Sequence, residues 1–181
     1  DGADTEDFDQ YYLKLRGGWT LTREQQAVLR LLVAWREREC QKVDRPRNRV
    51  LNDGLLIAIA ERLPGSLRTL NDIQGVPGGI VKRYGEHLLE LVREGREADN
   101  ANLEPIPRPL SGDQQAVYKK VKRCFNKMAE EHDIPIELLA PRKRIEKVLQ
   151  DGTLAGNEFF QGWRGELLKP VETDIEELLR P

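Results

Sequence analysis

Gln25-Gln26-Ala27-Val28 returns as Gln114-Gln115-Ala116-Val117, and Gln74-Gly75 with Gly78 returns as Gln161-Gly162 with Gly165. The offsets are 89 and 87 residues, so nearly one module length separates both ends of a repeated segment. Each match alone is short, but agreement of the two offsets marks a tandem duplication. Thr22 stands three residues before Gln25, the spacing of a capping box, and Val28, Leu31, Leu32 and Trp35 follow on one helical face. This long helix should run to about Val43. The second copy leads into Val117, Val121, Phe125 and Met128 with the same period. Strand-type alternation is nearly absent, which predicts an all-α fold of two small helical bundles in tandem.

Working outward, Arg45-Pro46-Arg47-Asn48-Arg49 reads as a basic loop, because proline removes a donor and pushes its predecessor out of the helical region. Asn52 or Asp53 caps a second helix that buries Leu55, Leu56, Ile59 and Leu63 and stops at Pro64-Gly65. Ser66 starts a short helix through Leu67 and Leu70. Pro77 opens a fourth whose apolar face is Ile80, Val81, Tyr84, Leu88, Leu91 and Val92. Pro105, Pro107 and Pro109 suit an extended connector. Pro135 interrupts the second copy within residues 134–139. The boundaries read from these signals are a tail or connector over 1–18, a first module over 19–96, a Pro-rich linker over 97–112 and a second, divergent module over 113–181. The opening DGADTEDFDQ is acidic and aperiodic, expected as a frayed tail, and Tyr11, Tyr12, Leu13, Leu15 and Trp19 form an apolar lead-in.

Among 181 residues, 29 Lys and Arg face 31 Asp and Glu for a net charge of -2, so any polyanionic partner must be met by local charge. No apolar run approaches the roughly 20 residues of a membrane helix, and the N-terminus lacks signal-peptide character. Cys40 and Cys124 lie far apart with no CxxC pair, which argues against a disulfide framework or zinc site and fits a reducing cytoplasm. A start at Asp1 fits a piece of a longer polypeptide, and removal of a leader would look the same. His87 and His132 have no nucleophile or ligand partner at a useful spacing, so neither a catalytic nor a metal site is expected. Asp4-Thr5-Glu6 spells the DxE of a two-metal exonuclease, but without a preceding apolar strand it reads as a coincidence of an acidic tail.

The basic segments carry more information. Lys42, Arg45, Arg47 and Arg49 surround the first loop, and Lys82, Arg83 and Tyr84 sit together on the fourth helix. In the second copy Lys119, Lys120, Lys122, Arg123 and Lys127 punctuate one helix, and Arg142, Lys143, Arg144 and Lys147 begin another. Acidic residues gather elsewhere, at Glu172, Asp174, Glu176 and Glu177 and in the tail. Lys and Arg neutralise phosphates and Tyr84 offers a stacking face; the competing reading is a solvated charged surface with Tyr84 in the core. Gly75-Val76-Pro77-Gly78 reads first as a turn that starts a helix, and second as a phosphate-holding hairpin. Trp35 and Trp163, each among apolar neighbours, are expected in module cores or at module interfaces rather than at a base-stacking site.

Trp35-Arg36-Glu37, Leu51-Asn52-Asp53, Leu63-Pro64, Ile73-Gln74-Gly75-Val76 and Arg83-Tyr84-Gly85 resemble an HRDC module, the helicase and ribonuclease D C-terminal domain. Two in tandem, the second containing Gly162-Trp163-Arg164-Gly165-Glu166-Leu167-Leu168, are similar to the C-terminal half of bacterial ribonuclease D. The resemblance covers roughly residues 11–180. The second module departs from the generic pattern: Cys124-Phe125 stands where the first has Leu32 to Trp35, and Lys169-Pro170-Val171 where the first has Lys82-Arg83-Tyr84. The resemblance implies a parent 3′→5′ exoribonuclease that trims RNA 3′ ends, tRNA precursors among them. It implies two divalent ions, Mg or Mn, in a separate nuclease domain, and no cofactor in this part. An RNA-binding accessory region, monomeric and paired with the nuclease domain of its own polypeptide, is the expected role. The alternatives are a structural collar on that domain or a helicase accessory module, the latter opposed by the tandem arrangement and the Gly162–Gly165 run.

Overall fold

The computed structural model describes residues 7–181, so the tail's first six residues, Asp4-Thr5-Glu6 among them, lie outside the described residues. The described residues contain nine α-helices and no strand. They fall into two units, the first ending at Pro109 and the second spanning Leu110–Pro181. None of the helices is long and apolar enough to cross a membrane.

The first unit starts from a closed capping box. The Gln25 amide donates to the Thr22 hydroxyl and the Thr22 amide to the Gln25 side chain, which satisfies two donors at the start of α1 (Arg23–Val43). Asp44 ends α1 in the left-handed region at φ 52°. The expected basic loop then proves to be a single helical turn, α2 (Arg47–Val50). Pro46 has no amide to lose at a helix start, and burial of Val50 and Leu51 draws the turn onto the core. Asn52 caps α3 (Asp53–Arg62), Ser66 closes a second capping box on α4 (Leu67–Asn71), and Pro77 precedes α5 (Gly78–Glu97). Val28, Leu29 and Leu32 of α1 pack with Leu56 and Ile59 of α3, Leu70 of α4 and Leu88 and Val92 of α5.

Two segments expected outside this core belong to it. Tyr12, Leu13 and Leu15 are buried on 3-10 turns at Tyr11–Lys14 and Arg16–Thr20, and Phe8 is buried with its ring edge-on to Tyr11 at 5.0 Å. On the linker side Ile106 is 4% exposed, the Tyr12 hydroxyl donates to the Glu104 carbonyl, and Arg23 donates to the carbonyls of Asn100 and Ala101. Residues on both flanks of the helical bundle thus close against each other over α1. Short 3-10 turns and a proline-rich strap have no helical period, so neither shows in a pattern of three and four.

The second unit repeats the plan of the first. Ser111 and Gln114 close the capping box of α6 (Gly112–Glu131), followed by α7 (Ile136–Leu139), α8 (Arg142–Asp151), a 3-10 turn at Glu158–Phe160 and α9 (Trp163–Leu179). Single-turn α7 stands where α2 does, and α8 has the ten residues of α3. The repeated glutamines do the same work in both copies. Gln26 donates to the carbonyl of Leu21 and Gln115 to that of Leu110, each five residues back. Gly75 and Gly162 both take positive φ, 91° and 67°, ahead of the long closing helix. The core joins Val121, Phe125 and Met128 of α6 to Ile145 and Val148 of α8 and Leu168, Val171 and Ile175 of α9.

Helix α5 lies on α1 so closely that a β-carbon on Gly95 would come within 2.7 Å of the Val28 Cα. Gly95→Ala is expected to destabilise the protein by about 1–3 kcal/mol, since backbone and not a pliable side chain must give way. Gly79→Ala, in the same helix with nothing within 4 Å, should be neutral or raise stability by up to about 1 kcal/mol. Chemical denaturation followed by circular dichroism checks both, and equal effects would contradict the account.

Burial, then the Glu104 carboxylate, pushes the Tyr12 phenol above its ordinary pKa of 10.0, with Arg30 opposing. The fold therefore favours the neutral phenol. This stability is fully present below pH 10 and is lost as pH rises through the higher folded value. Denaturation between pH 8 and 11 should show that alkaline loss, shallower in Tyr12→Phe; an unchanged slope would contradict it.

Candidate nucleic-acid interface

In the first unit, the basic residues surround a buried ionic network. Arg36 is 2% exposed, and its Nη1 donates to the Leu51 carbonyl at 3.0 Å and to the Asp53 carboxylate at 2.7 Å. Its Nη2 lies 3.5 Å from the Glu37 carboxylate, which also receives Arg47 Nε at 2.6 Å. A buried guanidinium needs such partners, and this one ties α1 to the end of α2 and the start of α3. Arg47 is thereby committed within the chain, its pKa raised first by that hydrogen bond to Glu37.

Tyr84 is half-buried and equally committed. Its hydroxyl donates to Glu39 at 2.9 Å, and its ring stands edge-on to Trp35 at 5.0 Å. Burial and then that hydrogen bond push the phenol up, while Arg83 and Arg45 pull it down. Arg45, just ahead of α2, and Arg83 of α5 both act on the Tyr84 phenol. Lys42, Arg45, Arg49, Lys82 and Arg83 are exposed there or nearby in the chain, interleaved with Glu37, Glu39 and Asp53.

In the second unit α6 and α8 carry the cations. Arg142 Nε donates to Glu146 at 2.8 Å and Lys147 reaches Asp151 at 2.9 Å, both at i,i+4, so these two are partly neutralised. Hydrogen bonding to Glu146 holds the Arg142 pKa above its ordinary value. Lys119, Lys122, Arg123, Lys143 and Arg144 are exposed and form no ion pair among the described residues.

Trp163, expected in a core or at an interface, is 47% exposed. Trp35, for which the same place was expected, is buried at 8%. The apolar stripe of α9 is Leu168, Val171 and Ile175, and Trp163 lies about 140° around the helix from Leu168. That register places the indole on the surface, where apolar sequence neighbours give no cover. Beside it the Arg164 guanidinium lies over the Trp163 ring at 4.3 Å and over the Phe159 ring at 3.9 Å, with Arg144 also over Phe159 at 4.5 Å. Phe159 did not stand out in the sequence, and Arg164 stood out only within the Gly162–Leu168 run, with no binding role attached to it. The adjacency of Trp163 and Arg164 at a helix start, off the apolar stripe, is the signal that could have found them.

Among the described residues no group of three or more His, Cys, Asp or Glu side chains could hold a metal ion. His87 is exposed near Trp35, their ring centroids 6.1 Å apart, and His132 caps the end of α6. Cys40 and Cys124 are free thiols whose pKa values burial raises.

Two copies of one helical plan, each opened by a capped long helix and closed by another, define an all-helical protein of tandem modules. A family model for the HRDC domain matches residues 25–92, and one for the ribonuclease D C-terminal HRDC domain matches residues 113–171. The chain belongs to the HRDC family, as two HRDC domains in tandem. It is 32% identical over 175 residues to ribonuclease D of Cronobacter turicensis, covering 90% of this chain and 46% of that relative. Against ribonuclease D of Escherichia coli the identity is 30% over 166 residues, 85% of this chain and 43% of the relative. The crystal structure of Escherichia coli RNase D, described as an exoribonuclease involved in structured RNA processing, superposes with a TM-score of 0.63 at 26% identity. That match covers 96% of this chain and 48% of the other. The chain thus spans about half the length of the curated relatives it matches.

Arg36→Ala should cost about 3–5 kcal/mol, because it leaves the Leu51 carbonyl and its carboxylate partners without their buried cation. Urea denaturation checks this; a change under about 1 kcal/mol would show that the network is incidental.

Proposed function

We propose that this tandem pair is the RNA-binding accessory region of a 3′→5′ exoribonuclease of the ribonuclease D type, acting in RNA and tRNA 3′-end processing. Its surface cations hold the phosphate backbone, with little sequence preference, and present the strand to a nuclease domain of the same polypeptide. The observation that carries this reading is the set of exposed cations on α6 and α8, Lys119, Lys122, Arg123, Lys143 and Arg144, left unpaired among the described residues of a near-neutral chain. Lys42, Arg45, Arg49, Lys82 and Arg83 form a second, weaker field, since carboxylates lie among them. Arg47, Tyr84, Arg142 and Lys147 contribute through residual donors and ring faces. On this reading the Mg²⁺ or Mn²⁺ belongs to the nuclease domain of the same polypeptide.

Fluorescence anisotropy with a labelled single-stranded RNA and a hairpin bearing a 3′ tail, across a salt series, tests the reading. Binding should weaken linearly on logarithmic axes, by about 0.7 per phosphate contacted on a single strand. Lys143→Glu with Arg144→Glu should reduce affinity at least tenfold, more than Arg45→Glu with Arg49→Glu. No binding at low salt would overturn it.

A further inference from the structure

We infer that Trp163, with Arg144 and Arg164, forms a stacking site for an unpaired nucleobase and its phosphate; this rests on the RNA-binding reading above and assigns it a specific contact. A tryptophan left half-exposed forgoes much of the burial that its ring would otherwise gain. Here the indole is also held in place from behind. Gly162 turns the chain with φ 67° directly before it. Two residues on, a β-carbon at Gly165 would lie 2.8 Å from the Phe160 carbonyl oxygen, so the first turn of α9 is seated tightly on the Glu158–Phe160 turn.

The aromatic contacts run from that surface to the core. Phe125, fully buried, stacks on Phe160 at 5.2 Å, and Phe160 meets Phe159 edge-on at 5.1 Å. Phe159 carries the Arg144 and Arg164 guanidiniums, and Arg164 lies also over Trp163. Both Nε and Nη2 of Arg164 donate to the Leu138 carbonyl, at 3.3 and 3.0 Å, which fixes the plane against which the indole rests. The site is therefore organised before any ligand arrives.

Its chemistry selects the occupant. Neither Arg144 nor Arg164 pairs with a carboxylate among the described residues, and the nearby Glu166 is engaged by Lys169 at 3.1 Å. Lys143 is exposed one residue from Arg144. An exposed indole in contact with one such guanidinium, with a second on the adjoining Phe159 ring, suits a ligand both aromatic and anionic, which describes a nucleotide. Leu138, whose carbonyl holds Arg164, is itself 54% exposed and adds apolar area to this surface. A purely protein partner would gain from that area but would need carboxylates for two arginines.

The test titrates the 181-residue chain, at fixed salt, with an oligoadenylate and with an abasic ribose-phosphate oligomer of equal length. Trp163→Ala should weaken oligoadenylate binding by about 5-fold to 100-fold and leave the abasic oligomer unaffected. Trp163→Phe should restore most of the loss, and Lys143→Ala should weaken both oligomers alike. Helicity by circular dichroism should match the wild-type chain in every variant. Equal loss on both oligomers, or oligoadenylate binding unchanged in Trp163→Ala while the wild-type chain binds RNA, overturns the stacking site and leaves the accessory role standing. A wild-type chain that binds neither oligomer removes both, and leaves the indole to a protein surface.

Discussion

Where α5 lies on α1, Gly95 admits the backbone of Val28 to a distance that no other side chain would allow. The rest of the first unit follows from that approach. With the two long helices so close, Leu88 and Val92 reach Val28, Leu29 and Leu32, and the short helices α3 and α4 complete the core with Leu56, Ile59 and Leu70. The second unit meets the same demand by a different contact, Gly165 against the Phe160 carbonyl, which seats the closing helix on the preceding turn. Modules of this size bury modest cores, so a single close helix contact weighs heavily in each.

Side-chain polar contacts then fix the flanks. Gln26 is buried between the Leu21 carbonyl and the Ile106 amide, so one side chain joins the lead-in to the strap at the end of the unit. The Tyr12 hydroxyl bridges the same two flanks at Glu104. Arg36 does for α2 and α3 what Gln26 does for the flanks, with a charge in place of an amide. Each is a polar group taken from water and given protein partners in return, which makes these contacts costly to disturb.

Much of this architecture was legible in the sequence. Thr22 with Gln25 and Ser111 with Gln114 are local signals, and local signals survive tertiary packing. The repeat was visible because the same glutamines and glycines perform the same backbone tasks in both copies. What escaped was non-local. Phe8, Tyr12 and Ile106 gain their burial from residues distant in sequence, and a short turn carries no period to announce it. Arg47 looked like a free cation because its partner, Glu37, lies on another helix; the Arg142–Glu146 and Lys147–Asp151 pairs, four residues apart, were open to reading from spacing alone. Trp163 was misread because apolar neighbours in sequence were taken for neighbours in space, while the helix register turns the indole outward.

A chain of net charge -2 engages a polyanion only if its charges are sorted, and α6 and α8 of the second unit are where the sorting goes furthest. On the proposed reading the exposed cations of α6 and α8, with Trp163 of α9, hold a single strand. Photo-crosslinking addresses this most directly: single-stranded RNA bearing 4-thiouridine is irradiated with the intact chain, and the attached peptides are mapped by mass spectrometry. The account expects crosslinks concentrated in peptides spanning 118–123, 142–147 and 158–168, with Trp163 or Phe159 among the modified residues. Crosslinks confined to other surfaces, or none under conditions where the RNA is bound, would contradict it.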